Sequence, residues 1–133
     1  MKYNLEHCIG NRLRTLSRIV DNQFRATLKE FNITESQLSI LFALKKTGEI
    51  EQGKIGTALV LDRSTVSRNV KLLEKRDFIQ RSTDYRPMIA LTTQGEKLVQ
   101  QLLPHWEILM DNLIDQLGQE GMEGIKSLEK KLR

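Results

Sequence analysis

Cysteine and histidine are scarce in this chain of 133 residues. The single cysteine, Cys8, cannot form a disulfide within the chain, and a cysteine-rich metal site is equally excluded. The two histidines, His7 and His105, lie far apart and match no metal-ligand spacing. We therefore expect neither a metal nor any other cofactor.

Long apolar runs are missing as well. No stretch approaches the roughly 20 apolar residues that a membrane span needs, and the first residues lack the apolar core of a secretory signal. We therefore expect a cytoplasmic protein without a membrane partner. The sequence also lacks a Ser-His-Asp set, a convincing pair of carboxylates and a glycine-rich phosphate loop, so we do not expect an enzyme.

Positive charge is unevenly distributed along the chain, whose net charge is +4. Residues 62–86 carry seven basic and four acidic side chains, whereas residues 93–133 carry five basic and seven acidic ones. A local basic block suits a polyanion such as nucleic acid, although a merely solvated surface has the same composition.

The first half of the chain has the apolar spacing of helices. Steps of three and four residues between apolar positions predict a long first helix over 5–31, which Asn32 ends. Thr34 and Gln37 have the spacing of a capping box and predict the start of a second helix. Gly48 is the expected end of that helix.

The middle of the chain predicts a compact set of short elements. A short helix is expected over 52–59, and a second helix should run from its N-cap, Asp62, to about Arg76. Short strand-like runs at 78–83 and 88–92 flank a turn and predict a β-hairpin. The fold class is therefore mainly α with a small β part (α+β).

One more long helix is expected after the hairpin. Thr93 and Glu96 have capping-box spacing at its start, and Pro104 should kink or interrupt it. Gly118 and Gly121 should separate a last helix from it. The apolar stripes at both ends of the chain need a partner, either a second copy of the chain or each other within one monomer.

The helix after Asp62 has two chemically different sides when each residue is rotated by 100°. The inner side is apolar, and the outer side carries these hydroxyl and cationic groups: Ser64, Arg68, Lys71 and Lys75. Such a helix fits the DNA major groove, where arginine can bind guanine and lysines can neutralise phosphates. An ordinary surface helix has the same pattern, but the preceding short helix and the following hairpin favour DNA.

The hairpin is a candidate wing. Arg81 and Arg86 are expected to meet the DNA backbone or the minor groove, whose narrow segments attract arginine. Asp84 lies two residues from Arg86, and we interpret it as a carboxylate that orients this arginine. An ordinary exposed turn is the alternative for Asp84.

Four segments together resemble the MarR family of transcription regulators: LDRSTVSR at 61–68, LEKR at 73–76, DYR at 84–86 and LTTQG at 91–95. The resemblance implies a winged helix-turn-helix and a DNA-binding regulator, expected to be a repressor, that acts as a homodimer on a pseudo-palindromic operator. It divides the chain into a dimerisation helix (1–31), a DNA-binding domain (32–92) and C-terminal dimerisation helices (93–133). The residues expected at the DNA are Thr34, Gln37, Arg63, Ser64, Thr65, Ser67, Arg68, Lys71, Lys75, Arg81, Asp84 and Arg86.

Three features depart from the family pattern. The stretch between Arg81 and Leu91 is a few residues short, which puts the reach of the wing in question. Asp77 replaces a usual glycine and must adopt a left-handed conformation at some cost. Val60 fills a turn position often held by glycine, so a different turn is expected there.

The resemblance also implies regulation by a small aromatic or phenolic anion bound near the dimer helices. Candidate ligand residues are Arg14, Arg18, Trp106 and Met110. The alternative is that the two arginines are merely solvated and that Trp106 belongs to the core. One branch of the family senses peroxides through a cysteine in its first helix, so Cys8 makes a thiol-based redox regulator an alternative. A winged helix that docks another protein is a further alternative.

Overall fold

The computed structural model describes all 133 residues, which form five helices and a three-stranded sheet. The helices are α1 (Ile9–Leu28), α2 (Glu35–Thr47), α3 (Gln52–Leu59), α4 (Arg63–Lys75) and α5 (Thr93–Leu132), and the strands are β1 (Ile50–Glu51), β2 (Ile79–Arg81) and β3 (Met88–Leu91). Single turns of 3₁₀ helix at Leu5–His7 and Lys29–Phe31 flank α1. Although α1 and α5 have the length to cross a bilayer, neither is apolar enough to do so.

Most of the predicted helix ends are confirmed. Thr34 and Gln37 form the reciprocal capping box of α2, with both hydrogen bonds at 3.2 Å. Asn32 and Gly48 adopt positive φ angles of 53° and 74° on either side of α2. Asp62 caps α4 by accepting a hydrogen bond from the Thr65 amide at 2.7 Å. These ends form where expected because capping depends on residues only a few positions apart.

Two predictions for the last helix are wrong. The residue that caps α5 is Thr92, not Thr93, because its hydroxyl accepts from the Gly95 amide at 3.0 Å while also donating to the Asp77 carbonyl. Pro104 does not interrupt α5, whose only non-helical residue is Gly118. Pro104 lies on the exposed side of α5, so water can satisfy the carbonyl that its missing N–H leaves unpaired. Gly118 makes the expected break, but Gly121 lies within the helix.

The sheet has the strand order β1-β3-β2 and is antiparallel throughout. The predicted hairpin is confirmed as β2 and β3, in which Ile79 pairs with Leu91 and Arg81 with Ile89. The third strand, β1, was not predicted from the sequence. It consists of two residues, Ile50 and Glu51, which are too few to show any periodicity.

The main core lies between α2, α4, the sheet and the first turns of α5. Its 15 buried residues include Leu41, Val70, Ile89 and Leu102, whereas α1 contributes only Leu28. In this arrangement α3 and α4 form a helix-turn-helix and the β2-β3 hairpin forms a wing beside it. The protein is therefore a winged helix with long helical extensions at both ends.

Val60, in the turn between α3 and α4, adopts the left-handed conformation that a glycine would adopt, with φ 55° and ψ 46°. Asp77 does the same at the end of α4, with φ 63°. Left-handed backbone is unfavourable for a β-branched residue because Cβ approaches the carbonyl oxygen. The turn is therefore kept at the cost of backbone strain in Val60.

Relief of this strain should stabilise the protein. We expect Val60→Asn to raise the free energy of unfolding by about 1 kcal/mol, because asparagine tolerates the left-handed region. Val60 is 77% exposed, so little packing is lost. The control is Val60→Ile, which keeps the β-branch and should unfold at the wild-type denaturant concentration. Equal stability of the two variants would show that Val60 is not strained.

Candidate nucleic-acid interface

The outer side of α4 is the most distinctive surface of the winged helix. Its inner side is buried through Val66, Val70 and Leu73, which confirms the predicted rotation of the helix. The opposite side is a shallow surface lined by Ser64, Ser67, Arg68, Lys71, Leu72 and Lys75. Neither Arg68 nor the two lysines form an ion pair within the chain, since every close contact between a basic and an acidic side chain involves other residues. Their positive charges therefore remain available to a partner.

The start of α4 is fixed by Asp62. Its carboxylate accepts hydrogen bonds from the Thr65 amide at 2.7 Å and from the Ser64 hydroxyl at 3.0 Å. Hydrogen bonds from Thr65, then the one from Ser64 and the nearby charge of Arg68, lower the pKa of Asp62 below its usual range. Asp62 is therefore ionised at neutral pH, where it stabilises the first turn of α4.

The wing tip lies beside this first turn. A cavity of about 550 Å³ separates them, and its lining includes Arg63 from α4 together with Tyr85 and Arg86 from the wing. The Gln52 amide donates to the Pro87 carbonyl at 2.8 Å and so attaches the wing to the start of α3. The short loop nevertheless presents Arg86 on the same side of the molecule as the start of α4.

One prediction about the wing is contradicted. Asp84 makes no ion pair or hydrogen bond with Arg86, and both side chains extend into solvent at the tip of the loop. Arg81 lies within the predicted strand run 78–83. It belongs to β2, where its guanidinium lies 3.9 Å from the carboxylate of Glu74 on α4. Sequence spacing within the hairpin cannot reveal this partner, because Glu74 belongs to another element.

The start of α2 also differs from the prediction. Thr34 is exposed, but Gln37 is buried beneath it and is 7% exposed. Gln37 uses its side chain for the capping box and for a hydrogen bond to Asn69 on α4. It therefore cannot reach DNA, and its role is internal.

The remaining predicted contacts occupy the first turns of α4. Arg63 is exposed at the first position of the helix, while Thr65 and Ser67 are half-buried on its flanks. Tyr85 was not among the predicted residues, yet it is 98% exposed at the wing tip beside Arg86. The sequence signal that could have identified Tyr85 is an aromatic residue within an otherwise polar turn.

Comparison with known proteins agrees with this geometry. The MarR family model matches residues 33–86, which run from the core residue before α2 to the wing tip. Over nearly the whole chain, the structure resembles that of Staphylococcus aureus MepR bound to DNA, with a TM-score of 0.77 and 30% identity. The match covers 97% of this chain and 96% of that one. The chain belongs to the MarR family.

Two other matches are consistent with this assignment. The HTH-type transcriptional regulator YwoH of Bacillus subtilis is 29% identical over 105 residues, which cover 77% of this chain and 76% of YwoH. The structure of NadR in complex with 4-hydroxyphenylacetate matches with a TM-score of 0.81 and 26% identity, and it covers 94% of both chains. This MarR-family protein is therefore a DNA-binding transcription regulator.

The four candidate ligand residues of this MarR-family chain have different environments. Trp106 packs edge-on against Phe42, with ring centroids 5.2 Å apart, at the border of the core. Met110 is half-buried on α5, and Arg14 and Arg18 extend from α1 into solvent. A cavity of about 710 Å³ lies between α5 and the end of α1 with its following 3₁₀ turn. It is lined instead by Ala26, Thr27, Lys29, Glu30, His105, Ile108, Leu109 and Asn112. Cys8 is exposed and precedes α1 as its N-cap residue.

Proposed function

We propose that the protein is a repressor that binds a pseudo-palindromic operator as a homodimer and leaves it when a small aromatic anion binds. The observation that carries the proposal is the outer side of α4, on which Ser64, Arg68, Lys71 and Lys75 are exposed and free of intramolecular ion pairs. An exposed helix of this composition, followed by a wing, matches the geometry of major-groove readers. MepR, a relative of similar length, was solved bound to DNA.

The proposal divides the DNA contacts between α4 and the wing. Arg68 can donate two hydrogen bonds to a guanine edge, and Ser64 and Ser67 allow the helix to approach closely. Lys71 and Lys75 are assigned to phosphates. Residues 32–92 would form the DNA-binding part, although its core also uses Leu28 of α1 and the first turns of α5.

The wing has its own role in this proposal. Its exposed residues are Asp84, Tyr85 and Arg86, of which Arg86 suits the negative potential of a narrow minor groove. Arg63 and Arg86 border one cavity, so a phosphate there would contact two guanidinium groups. Arg81 and Thr34 are left at the margin of the interface, where Arg81 would first have to leave Glu74.

Homodimerisation is supported by the apolar side chains that one protomer leaves exposed. These belong to the two chain ends: Leu5, Ile9, Leu13, Leu16 and Ile19 on one side, and Ile108, Ile114, Leu117, Ile125, Leu128 and Leu132 on the other. The two stripes therefore do not bury each other within a protomer. Exposed apolar surface on this scale is typical of a protein interface, and we assign it to a second copy of the chain.

The effector proposal is supported by the complex of NadR with 4-hydroxyphenylacetate. Arg14 and Arg18 would supply positive charge for a carboxylate, while Trp106 and Met110 would supply apolar surface. Because Arg14 and Arg18 extend from α1, which also carries the proposed dimer stripe, the second protomer would complete such a pocket. Oxidation of the exposed Cys8 is the second regulatory signal to be tested.

The DNA assignment is tested with duplexes selected from a random pool by the purified protein. We expect Arg68→Ala to weaken binding to the selected duplex by roughly 1–3 kcal/mol and to relax the preference at one base pair. Lys75→Ala should weaken selected and random duplexes alike and reduce the slope of binding against salt by about 1. Kd values from fluorescence anisotropy at several salt concentrations measure both effects.

Two outcomes would contradict the DNA assignment. One is a small and equal effect of Arg68→Ala and Lys75→Ala on both duplexes. The other is weak affinity for every duplex with little dependence on salt, which would favour a winged helix that docks a protein. Lys46→Ala is the control, because it removes the same charge from the exposed last turn of α2, outside α4 and the wing. It should change the affinity for neither duplex.

The effector assignment is tested on the protein–operator complex. We expect 4-hydroxyphenylacetate or a related aromatic acid to lower operator affinity by about 5- to 150-fold, since effector coupling is typically 1–3 kcal/mol. The response should be lost in Arg14→Gln/Arg18→Gln, which keeps a polar surface but removes both charges. The aromatic effector would be contradicted if no acid released the operator. If peroxide released the operator from the wild type but not from Cys8→Ser, the signal would instead be redox.

A further inference from the structure

Only two polar side chains are buried in the protein, and they bind each other. Gln37 on α2 and Asn69 on α4 are 7% and 6% exposed. Gln37 Nε2 donates to Asn69 Oδ1 at 3.3 Å across 32 positions of sequence. Every other buried side chain of the core is apolar. A single polar pair in an apolar core therefore links the first turn of α2 to the middle of α4.

The pair belongs to a continuous series of hydrogen bonds. Gln37 Oε1 accepts from the Thr34 amide at 3.2 Å, as part of the capping box of α2. Asn69 Nδ2 donates to the Thr65 carbonyl at 3.0 Å, within the first two turns of α4. Both oxygens and both amide nitrogens thus have a partner, so the pair is not a buried polar defect.

Stability alone does not account for such a pair. Two facing buried polar groups can usually be replaced by apolar groups of similar shape at little cost, because their hydrogen bond mainly replaces hydrogen bonds to water. Apolar contacts tolerate small rotations and shifts of one helix on another. A hydrogen bond at a fixed distance restricts both, and buried polar pairs are known to select one helix register in this way.

The position of the pair on α4 decides what that restriction controls. Asn69 directly follows Arg68, the arginine assigned to a base edge, but lies on the inner side of the helix. A roll of α4 by about 20° would displace a side chain about 6 Å from the helix axis by about 2 Å. A bidentate arginine contact does not survive such a displacement, because binding sites need positions within about 0.5 Å.

The far end of α4 is held by a separate contact. The Arg76 guanidinium donates to the carbonyls of Asn32 at 2.6 Å and Phe31 at 3.2 Å. It also lies over the Phe78 ring, 4.9 Å from its centroid. The corner between α1 and α2 therefore fixes the C-terminal end of α4. The Gln37–Asn69 pair is the polar contact that restricts the rotation of the N-terminal half of α4, which would lie near the bases.

We propose that Gln37 and Asn69 are positioning residues that set the rotation and register of α4, so that the choice of DNA sequence depends on them. This inference rests on the proposed function. It concerns specificity, defined as the ratio of the Kd for random duplex to the Kd for the selected duplex.

The test compares full-length variants with the selected and random duplexes. Gln37→Met/Asn69→Leu replaces the pair by apolar side chains of similar size. We expect it to fold, with a thermal midpoint somewhat below that of the wild type because the Thr34 amide loses its capping-box acceptor, and to lose about tenfold in specificity, comparable to one mismatched base pair. Affinity for random duplex should stay within about twofold, because the phosphate contacts are longer and more adaptable.

The matched control is Val70→Ala, which creates a cavity on the same helix but leaves the pair intact. Val70 is fully buried, so this variant should lose stability and yet keep the wild-type specificity at temperatures where it is folded. If Gln37→Met/Asn69→Leu does not fold, Asn69→Ser takes its place. Its hydroxyl can still donate to the Thr65 carbonyl but is too short to reach Gln37, and the same loss of specificity is expected.

The outcomes separate the two levels of inference. A folded variant without the pair that retains wild-type specificity overturns the positioning role and leaves the proposed function intact. Loss of specificity in Val70→Ala to the same extent would also overturn it, because general destabilisation would then be sufficient. A wild-type protein that does not distinguish selected from random duplex would overturn the proposed function itself.

Discussion

Gly95→Ala should lower the free energy of unfolding by about 3 kcal/mol, a large loss for the addition of one methyl group. A Cβ on Gly95 would overlap the backbone carbonyl oxygen of Phe78 and also press on Leu91. The same carbonyl accepts the Thr92 amide at 3.1 Å, so neither backbone can retreat without breaking the junction of α5 with the sheet. Thermal unfolding at a fixed protein concentration measures the loss.

Gly53→Ala is the control for Gly95→Ala. Gly53 is also helical, but an added Cβ would meet only the flexible Glu51 carboxylate, at 3.7 Å. Alanine is the better helix former by up to about 1 kcal/mol, so this variant should be as stable as the wild type or more so. A Gly95→Ala protein that unfolds at the wild-type temperature would mean that α5 does not approach the Phe78 carbonyl so closely.

Leu16→Glu should disrupt the proposed homodimer and with it most of the operator affinity. Leu16 is 59% exposed in one protomer and lies in the apolar stripe of α1. Burial of an unpaired carboxylate in a dimer interface is strongly unfavourable. Light scattering should then report the mass of a single chain, 15.4 kDa, at concentrations where the wild type is a dimer.

The loss of DNA affinity follows because a monomer can contact only one half-site of the operator. When two DNA-binding units are joined, the second one binds at a high effective concentration, which typically strengthens binding by about 10²–10⁴-fold. We therefore expect operator affinity to fall about a hundredfold or more. Gln100→Glu adds the same charge at an exposed position of α5 that shares its helix face with the exposed Glu107 and not with the apolar stripe, and it should change neither mass nor affinity. A dimeric Leu16→Glu protein would place the interface elsewhere.

The candidate interface was predictable from the sequence only in part. The outer side of α4 follows from rotation about the helix axis, and the exposed Ser64, Arg68 and Lys71 confirm that rotation. The partners of Gln37 and Arg81 could not be predicted, because Asn69 and Glu74 lie on another element. Arg86 was expected to have an internal partner in Asp84, but the short loop leaves both side chains in solvent.

The local features of the fold were determined by the sequence itself. Caps such as Thr34 and Asp62 and stops such as Asn32 and Gly48 involve residues at most a few positions apart. Their energies therefore depend mainly on residues close in sequence. The same holds for the inner and outer sides of α4, since the helical period alone decides them.

The tertiary structure alone decided the features that need two distant segments. Thr92 rather than Thr93 caps α5, because the Thr92 hydroxyl also donates to the Asp77 carbonyl. The helix α5 continues past Pro104 without interruption. The two residues of β1 form a strand because they pair with β3. Gln37 is also buried against Asn69. In each case the local preference was weak or opposed, and contacts between segments far apart in sequence supplied the larger free energy.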